Sequence, residues 1–156
     1  MTDSFVINKT IYSSGEVGDV IAQLLGRIDA VYSLSEEKRY CVRLVLNETL
    51  ANAFEHSERD WALIHCMMNG NRLNFSVEND GVGFDRRDIC KPCVEDGRGR
   101  GLFIIESISD SVAYEDGGRC VNVSMTLYNV TKVLILMFFE SKSCEIAGFF
   151  VFALNI

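Results

Sequence analysis

At 156 residues, with 48% apolar and 24% charged side chains, the chain has the length and composition of one globular domain with a sizeable core. A net charge of −7 argues against a nucleic-acid partner, which usually demands a basic face. Of six cysteines, Cys41 falls in a helical run and Cys66 and Cys120 in strand-like runs, a scatter that argues against a secreted disulfide scaffold and for small buried hydrophobes in a reducing cytoplasm.

The opening residues, Met1-Thr-Asp-Ser-Phe5, carry neither a basic leader nor an apolar run, so no signal peptide is expected. Residues 5–12 read as one extended strand or two short ones. Ser13-x-x-Glu16 resembles a capping box. It opens a helix with Val17, Ile21, Leu24, Leu25 and Ile28 on one face. Ser33-x-x-Glu36 is a second such box, opening a longer helix that reaches about Ser57. Leu44, Leu46, Leu50, Ala53 and Phe54 make that helix apolar on more than one side, which predicts a position between layers. Residues 61–68 and 72–79 are strand-like and joined by Asn69-Gly70-Asn71, a hairpin signal. Leu73, Phe75 and Val77 alternate with Asn74, Ser76 and Glu78, so one strand face is dry and the other wet. Residues 85–98 are charged and aperiodic, hold the only proline, Pro92, and read as a loop. A helix is expected over 102–109. A second hairpin is expected from 111–115 and 120–127, closed by Asp116-Gly-Gly-Arg119. Helices and strands segregate, which predicts an α+β two-layer sandwich: a mostly antiparallel sheet with helices on one face.

Three segments carry chemistry. In Glu48-Thr-Leu-Ala-Asn52-Ala-Phe-Glu-His56 a carboxylate, an amide and an imidazole lie at i, i+4 and i+8, on one helical face. The Asn52 oxygen can ligate a divalent cation without adding charge near phosphates. Glu48 can accept a proton from an attacking hydroxyl or water. His56 lies one turn further, near the helix end. In Asp80-Gly-Val-Gly-Phe84, Gly81 and Gly83 leave no Cβ, so a flat ring can approach the backbone. Asp80 can then accept a hydrogen bond from an exocyclic amino group. Gly97-Arg-Gly-Arg-Gly-Leu102 runs into a helix start, where backbone N–H groups and the dipole favour anions. Arg98 and Arg100 add positive charge. The Gly-Lys-Ser/Thr ending of a P-loop is missing. Singly, the segments also fit plainer features: a solvated helix face, a tight turn and a hinge.

Taken in order, E-x-x-x-N-A-x-x-H, then D-x-G-x-G-F, then a loop ending G-R-G-L resemble the ATP-binding fold shared by gyrase, the heat-shock chaperone ATPase, histidine kinases and mismatch-repair ATPases. The resemblance covers about residues 5–127. Within that fold the chain is similar to the anti-sigma factor serine/threonine kinases of bacterial sporulation and stress regulation. Asn52-Ala53 with His56, a short lid between the glycine boxes, and no dimerisation helix bearing a phospho-accepting histidine favour that branch. The resemblance implies a histidine-kinase-like ATPase fold binding ATP with Mg²⁺. It implies Asn52 on the metal, Asp80 on adenine, Gly81, Gly83 and Phe84 beside the ring, and His56 at the nucleotide. Arg98, Gly99, Arg100, Gly101 and Leu102 would lie at the phosphates, with Glu48 as the base that activates a serine or threonine hydroxyl. It further implies a cytoplasmic homodimer that phosphorylates an anti-anti-sigma protein and sequesters a sigma factor, without direct nucleic-acid or membrane contact. The alternative is an ATP- or ADP-binding regulatory module that grips a partner without phosphate transfer. Glu48 favours the kinase, because a pure binder has no use for a base there. A third reading, an ATP-hydrolysing switch of the gyrase kind, would need a second transducer domain.

Two features depart from the pattern. Cys90-Lys-Pro-Cys93 has a C-x-P-C spacing seen in redox and metal sites. After an ATP-binding domain at 1–128, the tail 129–156 holds two apolar runs, 133–139 and 146–154, each below the ~18 residues a membrane span needs. The tail is expected to pack on the domain or sit in an interface.

Overall fold

Alternation of apolar and polar residues builds the sheet. In β2 (Ala62–Asn69) the side chains of Ala62, Ile64, Cys66 and Met68 are buried, and in β3 (Arg72–Glu78) those of Leu73, Phe75 and Val77 are. In β5 (Cys120–Thr126) Val121, Val123 and Met125 face the same way. With β1 (Ser4–Ile11) and β4 (Ser111–Glu115) these strands form one antiparallel sheet in the order β1-β2-β3-β5-β4. Register keeps one face dry: Phe75 lies opposite both Cys66 and Val123. A slip by one residue would turn every one of these side chains to the wet face. The computed structural model describes residues 4–88 and 100–127. Cys90, Cys93, Arg98, Gly99 and the tail 129–156 lie outside the described residues.

Three helices supply the second layer. α1 (Val17–Val31) buries Val17, Val20, Ile21, Leu24, Leu25 and Ile28 along one stripe. α2 (Glu36–His56) buries Val42, Val45, Leu46, Thr49, Leu50, Ala53 and Phe54 along one broad face. It touches α1, α3 (Arg100–Ile108), β2 and β3, so it lies within the helical layer beside the other two helices and not between layers as expected. Each large apolar side chain so buried contributes about 1.5–3 kcal/mol. The helix starts differ from expectation. Ser13 caps a short 3-10 turn through Gly15 N–H at 3.2 Å, and α1 begins only at Val17. The second helix is capped by Ser35 rather than Ser33, its hydroxyl accepting from Lys38 N–H at 3.2 Å. Spacing alone selected the wrong serine because a hydroxyl caps only where the chain turns into the helix. Arg39 pairs with Asp29 and ties α2 to α1.

Cys41, Cys66 and Cys120 are free thiols. Burial pushes the Cys66 thiol up to about 12, so it stays protonated and inert at neutral pH. Among the described residues no helix is long and apolar enough to cross a membrane.

Candidate functional site

The described residues of the three sequence segments converge where α2, α3 and the end of β3 meet. Glu48 and Asn52, one turn apart on α2, lie directly beneath the first turn of α3. A Cβ built on Gly101 would stand 3.0 Å from Glu48 Oε2 and 3.1 Å from both Asn52 amide atoms. A side chain at Gly101 would crowd the carboxylate and the amide, which would have to shift by a few tenths of an ångström. Arg100 opens α3 in an exposed position, and Leu102 turns inward.

Among the described residues Asn52 Nδ2 is buried and has no hydrogen-bond partner. An unpaired buried donor costs about 1–3 kcal/mol unless something fills it, and Asn52 lines a cleft with His56, Asn79, Phe84 and Leu102. That cleft holds about 20 Å³, room for roughly one water. A nucleotide therefore enters only if its walls part. Among the described residues no group of three or more His, Cys, Asp or Glu could cage a metal. A divalent cation would instead rely on the neutral Asn52 oxygen, phosphate oxygens and water. Mg²⁺ accepts that ligand set, so the residues fit it.

Asp80, expected on adenine, is held by other groups of the protein. Its carboxylate accepts from Ser57 O–H at 2.7 Å, Arg59 Nε–H at 2.7 Å and Glu58 N–H at 3.1 Å, outside the cleft. Ser57 in turn accepts from Trp61 N–H at 3.1 Å, so Asp80 fastens the chain leaving α2. The spacing itself contained the answer. In D-x-G-x-G, counted back from Gly83 and Gly81, the first position falls on Asn79. Asn79 does line the cleft.

The glycines of this box also meet protein backbone closely. A Cβ on Gly81 would lie 1.9 Å from the His56 carbonyl oxygen, and one on Gly83 2.1 Å from that of Gly117. Protein backbone, not a ligand ring, fills the space their side chains would need. His56 ends α2 in an exposed position at the cleft margin. Phe84 N–H donates to Gly117 O at 2.7 Å, latching the box to the β4–β5 turn. The Phe84 ring meets Tyr114 edge-on, with centroids 5.4 Å apart. Arg86 forks onto Glu106 of α3 at 2.6 and 2.8 Å, and Tyr114 O–H donates to Glu106 at 2.9 Å. The Arg86 guanidinium holds the Glu106 carboxyl below the usual range. Sequence reading missed this brace, since no local pattern links 86, 106 and 114.

The Ser57 hydroxyl, followed by the Arg59 and Glu58 contacts, holds the Asp80 carboxyl well below the ordinary carboxylate range. A depressed folded-state value stabilises the fold above the unfolded value, near pH 4, and is lost as pH falls through the folded one. Asp80→Asn is therefore expected to lower the melting temperature at pH 7, by a margin that shrinks as the pH is taken below about 4. An equal margin at pH 7 and pH 3 would show that the anchor carries no charge.

A family model described as histidine kinase-like ATPase domain matches residues 15–127. No curated protein matches the chain at a significant level.

Proposed function

Because the chain belongs to the histidine kinase-like ATPase domain family, we propose that it is an ATP-dependent protein serine/threonine kinase acting as an anti-sigma factor. It would phosphorylate an anti-anti-sigma protein, sequester a sigma factor and work as a cytoplasmic homodimer. One observation supports transfer over mere binding: the Glu48 carboxylate sits beside the Asn52 amide under the start of α3. Asn52 would hold Mg²⁺, which when bound supplies charge to stabilise the transferring phosphoryl group. Glu48 would take the proton of the incoming hydroxyl as the new O–P bond forms and ADP leaves. The rest of the catalysis is positioning by rigid helices. Gly101, with Arg100 beside it, would bring the positive end of α3 to the phosphates. Residues 98 and 99, assigned to the phosphates by sequence, stay part of this reading.

Calorimetry with Mg²⁺ and ATP tests the nucleotide half. Asn52→Ala is expected to weaken Mg-ATP binding about tenfold or more, since a metal ligand matters at least as much as its supporting shell. Unchanged affinity would remove Asn52 from the metal. Proteins co-purified from the native cell and incubated with labelled ATP test the other half. A labelled serine or threonine on a small partner is the expected result. Binding of ATP and a partner with no transfer would leave the regulatory module instead.

A further inference from the structure

We propose that the purine edge in this cleft is read by the Asn79 amide, so that the site accepts 6-oxo purine nucleotides about as well as adenine nucleotides. The proposal rests on the nucleotide-binding reading above and deepens it. Asn79 follows the last residue of β3 and is held twice. Its N–H donates to Arg119 O at 3.0 Å, and its Oδ1 accepts from Gly81 N–H at 2.8 Å. Because a backbone N–H can only donate, the atom facing Gly81 is the amide oxygen. Nδ2 is then turned away from Gly81, and it has no hydrogen-bond partner among the described residues.

The other polar groups at the cleft are committed or displaced. Thr49 O–H donates to Val45 O at 2.7 Å. Asn52 keeps an unpaired Nδ2 among the described residues, but it lies against Gly101 under α3, the place this reading gives to the metal. Asp80, the carboxylate that sequence reading placed on the base, is turned to Ser57, Glu58 and Arg59. Val77, Leu102 and Ile105 leave the cleft apolar elsewhere. Among the described residues, His56 stands exposed at the cleft margin and Asn52 lies under α3, so at the end of β3 the group placed to select a base edge is the neutral Asn79 amide.

The difference from a carboxylate is chemical. A carboxylate only accepts, so it pairs with a 6-amino group and repels a 6-carbonyl oxygen. The Asn79 oxygen has a lone pair left after Gly81 and can accept from a 6-amino group. Its Nδ2 can donate to a 6-oxo group without the amide rotating. Neither purine leaves a buried polar atom opposed by a like one, the situation that produces strong discrimination.

The test uses the full-length protein, Mg²⁺, and ATP or inosine triphosphate. These two nucleotides differ only in the 6-substituent and the N1 proton that accompanies it. Wild-type affinities within about tenfold of each other are expected. Asn79→Asp keeps the acceptor for Gly81 N–H and should then favour ATP over inosine triphosphate by roughly 10–100-fold. A wild-type preference for ATP beyond about tenfold overturns the proposal while leaving nucleotide binding intact, and it needs no variant. An unchanged ratio in a folded Asn79→Asp protein also overturns it, since the reader must then be another residue. If wild type binds neither nucleotide, the nucleotide-binding reading falls and this inference falls with it.

Discussion

Glu48→Gln is expected to bind Mg-ATP as the wild type does and to transfer phosphate about 10²–10⁴ times more slowly. The replacement keeps the size of the side chain, so the close approach of Gly101 to Glu48 Oε2 is preserved. It removes only the basicity. Position also argues for the role: Glu48 is half-buried in the middle of a 21-residue helix anchored on several sides, so the carboxylate is presented rigidly. Asn52, one turn away, is the metal-capable group, and the pair would act on one phosphoryl group from two sides. Single-turnover transfer to the partner, measured beside calorimetric ATP affinity, separates the roles. Loss of both would mark Glu48 as a packing residue, and wild-type transfer would place the base elsewhere.

Much of this arrangement is legible in the sequence, and the illegible parts share a cause. The period-2 pattern of β3 foretells its dry and wet faces, because burial follows directly from periodicity, whereas α2 buries one broad face within the helical layer. The Glu48–Asn52 pair is legible because four residues return a helix to the same face. What fails is the end of an element, where one residue of offset changes the outcome. Ser35 caps α2 in place of Ser33, and Asn79 enters the cleft in place of Asp80. At such positions the deciding partners are distant in sequence: Asp80 is claimed by Ser57 and Arg59 from beyond α2. Charge alone favours Asp80 as the reader of a base, whereas in the structure its carboxylate is held by Ser57, Glu58 and Arg59. The Arg86–Glu106–Tyr114 brace is likewise a tertiary product with no local signature.

Gly83→Ala is expected to destabilise the fold by about 2–4 kcal/mol, with a matching fall in melting temperature of about 5–15 °C. Two independent effects add here. The backbone at Gly83 has φ +75°, where any Cβ costs about 1–2 kcal/mol. The same Cβ would then lie 2.1 Å from the Gly117 carbonyl oxygen, a backbone atom that cannot swing aside. Gly117 O already receives the Phe84 N–H, so relieving the clash breaks that bond. Gly118 lies so near Phe84 that a Cβ built on it would stand 2.4 Å from the Phe84 carbonyl oxygen, so the turn has little room to shift. Opening this latch frees Phe84 from the cleft wall, so nucleotide affinity should fall together with stability. Gly70→Ala separates the two effects. Gly70 has φ +60° but nothing within 4 Å of a built Cβ, so it should lose only the backbone share, about 1–2 kcal/mol. Denaturant melts of both variants read the difference directly. Equal losses would mean that the β4–β5 turn yields freely and that the latch on Phe84 does not hold the cleft.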